Sequence, residues 1–131
     1  MIPDLAAGGA LVVEVRTRLA DRALAEAIAV AIVTEGLAAC AHVRGPIVST
    51  YRWNAVVETA NEVEVDAVTR PGMVGVLLAR IEELHPYELP ALLVTPAATT
   101  DEYRDWVYEQ TRGADEPASV HGSNSTPMLR E

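Results

Sequence analysis

His85 stands inside Leu84-His85-Pro86-Tyr87-Glu88-Leu89-Pro90, one of three histidines in the chain. Two prolines stiffen the backbone around a ring that titrates near neutral pH and serves either as a metal ligand or as a proton carrier. Tyr87 and Glu88 add a phenol and a carboxylate beside it. A plainer reading fits the same residues: a histidine closing a helix, favoured there by the dipole, with Pro86 ending the element. Cys40 is the single thiol. Its neighbours Ala38, Ala39, Ala41 and Val43 describe a buried strand, where cysteine behaves as a small inert hydrophobe. Glu62, Glu64 and Asp66 form an acidic ladder, which strand alternation puts on one face at steps of about 7 Å. Like charges in a row are costly unless a cation or arginines meet them, and Arg44 and Arg52 are the candidate partners. A solvated or arginine-paired face is the favoured state. Tyr51, Trp53 and Tyr87 either line a pocket or pack a subunit interface. Catalysis finds little support. Ser49 has no glycine-rich elbow, and Gly8-Gly9 precedes a strand where a phosphate loop would follow one.

The elements that position these groups follow from periodicity. Ala10 to Val15 is a short apolar run that reads as a buried strand. Asp21 is a helix N-cap, with apolar residues following at Leu24, Ile28, Ala31 and Ile32. Gly36 supplies the left-handed residue that ends the helix. From Ala38 to Trp53 the chain is strand-like, with a bulge at Arg44-Gly45-Pro46; Ile47, Ser49, Tyr51 and Trp53 share one face. Asn54-Ala55 makes a tight turn, and Val57 to Thr69 returns with Val63, Val65 and Ala67 on one side. A second helix carries Val74, Leu77, Leu78, Ile81 and Leu84 at helical spacing. Ala91 to Thr95 is a short strand. Thr99 and Glu102 make a capping box for a third helix holding Tyr103, Trp106 and Val107.

That order predicts an α+β fold, a ferredoxin-like βαββαβ sandwich with helices on one face, an extended β2–β3 hairpin and an extra C-terminal helix. The domain spans residues 9–113; residues 114–131 carry no apolar period and read as a disordered tail. Each hairpin arm exceeds the usual strand of about five or six residues, so its unpaired edges call for a neighbouring chain.

A chain of 131 residues makes one domain, large enough to be stable without disulfide or structural metal. Its formal net charge of −9 excludes nucleic acid as a partner and favours cations. One cysteine leaves no internal disulfide and no zinc spacing, which points to a reducing, cytoplasmic setting. The start lacks the basic region of a secretory signal, and no apolar stretch reaches the ~20 residues that cross a bilayer. No membrane association is expected.

Gly36-Leu37-Ala38-Ala39-Cys40, Tyr51-x-Trp53, Glu62-x-Glu64 and His85-Pro86-Tyr87-Glu88-Leu89-Pro90 occur in an order and spacing that resembles the CutA-like divalent-cation tolerance family. The resemblance covers about residues 10 to 112. It implies a ferredoxin-like homotrimer responding to divalent cations, copper above all, with no required cofactor and no established catalysis. His85 is the donor it carries over, and Glu88 and Cys40 complete the candidate ligand set. The chain departs from the family pattern at the hairpin tip, Trp53-Asn54-Ala55-Val56, and after the second proline, where Ala91 replaces a glutamate. No thiol ends the first strand; Arg16 and Thr17 stand there. An alternative from another class is a trimeric small-molecule sensor or signalling module, its ligand held in the cleft between subunits.

Overall fold

The computed structural model describes residues 10–111. Gly9, Arg112 and Gly113 at the expected domain limits, and the tail expected over 114–131, lie outside them.

Strand β1 (Ala10–Leu19) leads into helix α1 (Arg22–Thr34), then β2 (Cys40–Trp53) and β3 (Val56–Thr69). A 3-10 turn (Pro71–Met73) precedes α2 (Val74–Leu84), β4 (Leu93–Thr99) and α3 (Asp101–Gln110). The four strands form one antiparallel sheet in the order β2-β3-β1-β4. This is the expected βαββαβ arrangement.

Alternation decides what each face buries. Val13, Val15 and Leu19 of β1, with Val63, Val65 and Ala67 of β3, join Ala25, Ile28 and Ile32 of α1 and Leu77 and Ile81 of α2 in the main core. At roughly 1.5–3 kcal/mol for each large apolar side chain buried, this layer supplies most of the driving force for folding. The other face carries Val12, Ala39, Val68 and Val107, where α3 closes a smaller cluster with Tyr103 and Trp106. The helices therefore do not all lie on one side. α3 sits opposite α1 and α2, because Val107, Tyr103 and Trp106 pack on the even-numbered residues of β1 and β3.

The local signals worked where backbone chemistry is explicit. Asp21 caps α1, its carboxylate accepting the Leu24 N–H at 3.1 Å. Gly36 at φ +73° ends α1, with Leu37 N–H donating to Ile32 O at 2.9 Å and Gly36 N–H to Val33 O at 3.0 Å. That is a Schellman closure, with Leu37 and Ile32 packed behind it in the core. The ladder between β2 and β3 slips between Arg44 and Ile47, where Gly45 has φ +144°.

β2 begins two residues later than expected, at Cys40, and β3 one residue earlier, at Val56; three further boundaries differ for identifiable reasons. β1 runs on to Leu19, four residues beyond Val15, because Arg16, Thr17 and Arg18 keep pairing with β3. β4 is Leu93–Thr99, displaced from Ala91–Thr95 and including Pro96; it is an edge strand, where a missing N–H costs no ladder bond. The cap of α3 is Thr100, whose hydroxyl accepts the Tyr103 N–H at 3.2 Å. Shifting the cap by one residue removes Glu102 from the reciprocal position and leaves it in the first turn with Asp101, favoured by the dipole.

Candidate functional site

Pairing of β1 with β3 stops at Leu19 opposite Val63, so residues 56–62 of β3 pair with β2 alone. This part of the hairpin projects about 23 Å past the three-stranded region, at the usual strand rise. Its surface is apolar for an exposed element: Val48, Tyr51, Trp53, Val56 and Val57 are all at least 41% exposed.

The segment after α2 folds back against the base of this projection. His85 closes α2, its N–H donating to Ile81 O at 2.9 Å and its backbone turning extended ahead of Pro86. The imidazole is buried, at 8% exposure. Nδ1 accepts the Tyr87 N–H at 3.1 Å, which assigns the ring proton to Nε2, and Nε2 donates to Arg18 O at 2.9 Å. Burial lowers the His85 pKa, outweighing the carbonyl bond and the field of Glu62, which both raise it. A neutral ring with both nitrogens engaged is therefore the resting state. Tyr87 meets this ring edge-on at 4.8 Å and donates its hydroxyl to Glu62 Oε2 at 2.6 Å. Burial and that carboxylate push the phenol pKa up to about 12.

The acidic ladder is paired on one face of the sheet. Glu64, 6% exposed, accepts Arg18 Nε at 3.0 Å and Arg44 Nη2 at 2.7 Å. Burial raises its pKa, but the hydrogen bonds from Arg44 and Arg18 outweigh this and hold it below the usual carboxylate range. Asp66 lies 3.6 Å from Arg44 and 3.9 Å from Arg16, while its buried Oδ1 has no hydrogen-bond partner. Arg44 is a partner as expected. Arg52 is not, because it stands opposite Val57 on the other face beyond the bulge. Arg16 and Arg18 serve in its place, and the alternation Glu14-Arg16-Arg18 was the signal that an early end to β1 concealed.

Arg18, Arg44, Tyr51, Trp53, Glu62 and Tyr87 line a groove of about 1050 Å3 between the projecting hairpin and residues 87–91. Glu88 lies in this groove as well, whereas His85 does not line it and touches it only through Tyr87. Cys40 is elsewhere. It faces Val68 on β3, whereas the His85 anchor Arg18 faces Glu64, about 13 Å along the strand. Its thiol lies 3.5 Å from Tyr103 Oη beneath α3, and burial pushes its pKa up. One metal ion, with ligands at about 2.0–2.3 Å, cannot reach both His85 and Cys40 in this arrangement. Among the described residues no group of three or more His, Cys, Asp or Glu side chains is arranged to hold a metal ion.

A four-stranded βαββαβ sheet with an overlong central hairpin places the chain in the ferredoxin-like class of α+β proteins. Comparison with known proteins narrows this. A family profile described as CutA1 divalent ion tolerance protein matches residues 13–110, and this chain belongs to that family. It is 36% identical over 89 residues to the divalent-cation tolerance protein CutA of Thermus thermophilus, covering 67% of this chain and 86% of that protein. The Pyrococcus horikoshii CutA is 32% identical over 99 residues, 75% of this chain and 96% of its own. Among solved structures, CutA from Xylella fastidiosa superposes with a TM-score of 0.74 at 32% identity, covering 76% of this chain and 97% of its own. A structure described as the periplasmic divalent cation tolerance protein CutA from Archaeoglobus fulgidus gives 0.73 at 25% identity, with coverages of 76% and 98%.

Proposed function

We propose that this protein acts as a cytoplasmic, non-catalytic homotrimer in the response to divalent metal cations. The projecting hairpin carries the reading. Residues 56–62 of β3 have a partner strand on one side alone, and half-exposed Tyr51 and Trp53 stand on the same sheet face. A free edge with large aromatics is stable in water when another chain covers it. The family supports the trimer number and the cation. Light scattering after size exclusion should give three times the protomer mass of 14.0 kDa; a monomer at micromolar concentration removes this reading. Cell fractionation tests the compartment, which a single cysteine and the absence of a disulfide support.

Copper(II) heads the affinity series of the divalent ions and is the fairest probe. Its binding at His85 has to displace either the Tyr87 N–H or the Arg18 carbonyl, with Glu88 reaching in from the adjoining groove as the carboxylate. Affinity is correspondingly weak, no tighter than roughly micromolar, and it fades in acid as the imidazole is protonated, below the ordinary imidazole range because burial lowers the His85 pKa. Calorimetry should show it abolished by His85→Ala and little changed by Cys40→Ser. Nanomolar binding that survives His85→Ala refutes the site.

The groove favours a second reading, a sensor module that holds a small molecule beside the hairpin. Its volume lies just above the range of ordinary ligand pockets. A thermal-shift screen of metabolites against metals separates the two.

A further inference from the structure

We infer that His85-Pro86-Tyr87 is a brace that fixes the direction in which the β2–β3 hairpin leaves the sheet, and so decides whether the hairpin's free edge meets a neighbouring copy. Its consequence for assembly rests on the homotrimer reading; its geometry stands without it.

Three features coincide at one level of the sheet. β1 ends with Leu19 opposite Val63, so Glu62 is the first residue of β3 without a β1 partner. In the other arm the register slips between Arg44 and Ile47, and Ile47 stands opposite Glu62. A bulge bends the strand that carries it and interrupts its ladder. Burial stops here too: β3 is buried from Val63 to Thr69 and exposed from Val56 to Thr59. A two-stranded ribbon is marginally stable alone in water. This one joins its domain through a bulged arm, just where the third strand runs out. That level is a hinge.

The segment after α2 spans it. The buried His85 ring donates from Nε2 to Arg18 O at 2.9 Å, one residue before β1 ends. Its Nδ1 accepts the Tyr87 N–H at 3.1 Å, and the Tyr87 hydroxyl reaches on to Glu62 at 2.6 Å. Among the described residues, this last contact is the one hydrogen bond that joins residues 47–62 of the hairpin to anything outside β2 and β3. The link is stiff, because Pro86 fixes its own φ and holds His85 extended, at ψ 137°. Arg22 adds a solvent-exposed tie at the bulge itself, donating to Gly45 O at 3.1 Å. Direction matters because the projection is long. Over about 23 Å, a swing of about 10° moves the tip by about 4 Å, nearly one strand spacing, and takes the edge out of hydrogen-bonding reach of a partner.

The test is amide hydrogen exchange on the full-length protein, read separately in the hairpin arms and in α1. Assembly mass is followed by light scattering over a dilution series in moderate guanidinium. Tyr87→Phe keeps the ring against His85 and removes the hydroxyl. It should speed exchange in the arms about two- to tenfold, the worth of one hydrogen bond, and leave α1 unchanged. The protomer concentration at which the assembly half-dissociates should rise at least as much. Glu62→Gln retains a carbonyl acceptor and should fall between the original protein and Glu62→Ala. Adding Tyr87→Phe to Glu62→Ala should change nothing more, since the bond is already gone. Tyr108→Phe removes a phenol of similar exposure on α3 and should leave both readouts unmoved. Unchanged exchange in the arms, equal acceleration in α1, or additive effects of Tyr87→Phe and Glu62→Ala overturn the brace. Faster arms with unaltered dissociation overturn its role in assembly. A monomeric original protein refutes the homotrimer reading alone, and exchange in the arms still decides the brace.

Discussion

Ala55→Gly should stabilise this protein, and the size of the effect can be worked from the hairpin tip. Trp53 and Val56 are the last paired residues, joined by Asn54 at φ +51° and Ala55 at φ +66°. Two successive positive φ values in a two-residue loop are the geometry of a type I′ turn, whose twist matches that of the strands. Asparagine tolerates the left-handed region. Alanine does not, because its Cβ crowds the following carbonyl at a cost of about 1–2 kcal/mol. Glycine escapes that cost but gives up roughly 0.5–1 kcal/mol of backbone entropy on folding. The difference leaves a net gain of about 0.5–1 kcal/mol. With about 100 ordered residues, an unfolding entropy near 2.1 cal/mol/K per residue converts this to a rise in Tm of about 2–5 °C per protomer. Calorimetric melting at matched protomer concentration reads it, since the Tm of an oligomer depends on concentration. Asn54→Gly is the control and should move Tm by less than Ala55→Gly. An Ala55→Gly protein that melts at or below the original temperature refutes the strain argument.

Glu64→Gln removes the charge that holds Arg18 and Arg44; the two arginines are 38% and 61% exposed, so the loss is about 1–2 kcal/mol and not the full cost of breaking a buried pair. Because the folded pKa of Glu64 is lowered, its contribution is present above the unfolded value near 4.5 and is lost as pH falls through the folded value. Melting between pH 7 and pH 3 should thus fall less steeply in Glu64→Gln, and parallel curves would count against the pairing. Gly45→Ala places a Cβ 3.1 Å from Glu62 O and Val63 Cα at φ +144°, where no flexible side chain can give way. A loss of about 1–3 kcal/mol in denaturant unfolding is expected, and an unchanged midpoint would show that the bulge relaxes. Trp53→Ala should shift assembly toward smaller species in light scattering while leaving the core intact, since the ring is 43% exposed and outside both clusters; an unchanged trimer makes Trp53 an ordinary surface residue.

Periodicity and turn chemistry decided much of this protein on their own. The N-cap at Asp21, the glycine closure at Gly36, the bulge at Gly45 and the apolar stripe of α2 are local events, settled within a few residues by hydrogen bonding and sterics. So was the grouping of Ile47, Ser49, Tyr51 and Trp53 on one face, because a strand has a strict period of two. The family was legible as well, through short motifs spread over about a hundred residues. Other features needed the tertiary structure. That Glu64 belongs to Arg18 and Arg44, and that Arg52 turns away from it, depends on the β1–β3 register and on the bulge in β2, which are long-range pairings. The side on which α3 packs depends on which residues of β1 and β3 were left uncovered by α1 and α2. His85 and Cys40 are both plausible donors in one dimension, yet Cys40 and the strand residue that anchors His85, Arg18, face positions of β3 about 13 Å apart. The hydrogen bonds that engage both nitrogens of His85 come from Arg18 and Tyr87, and the first of these partners is 67 residues away in sequence. Residue type announces what a side chain can do; the sheet, by fixing which strands lie side by side, decides what it has left to do it with.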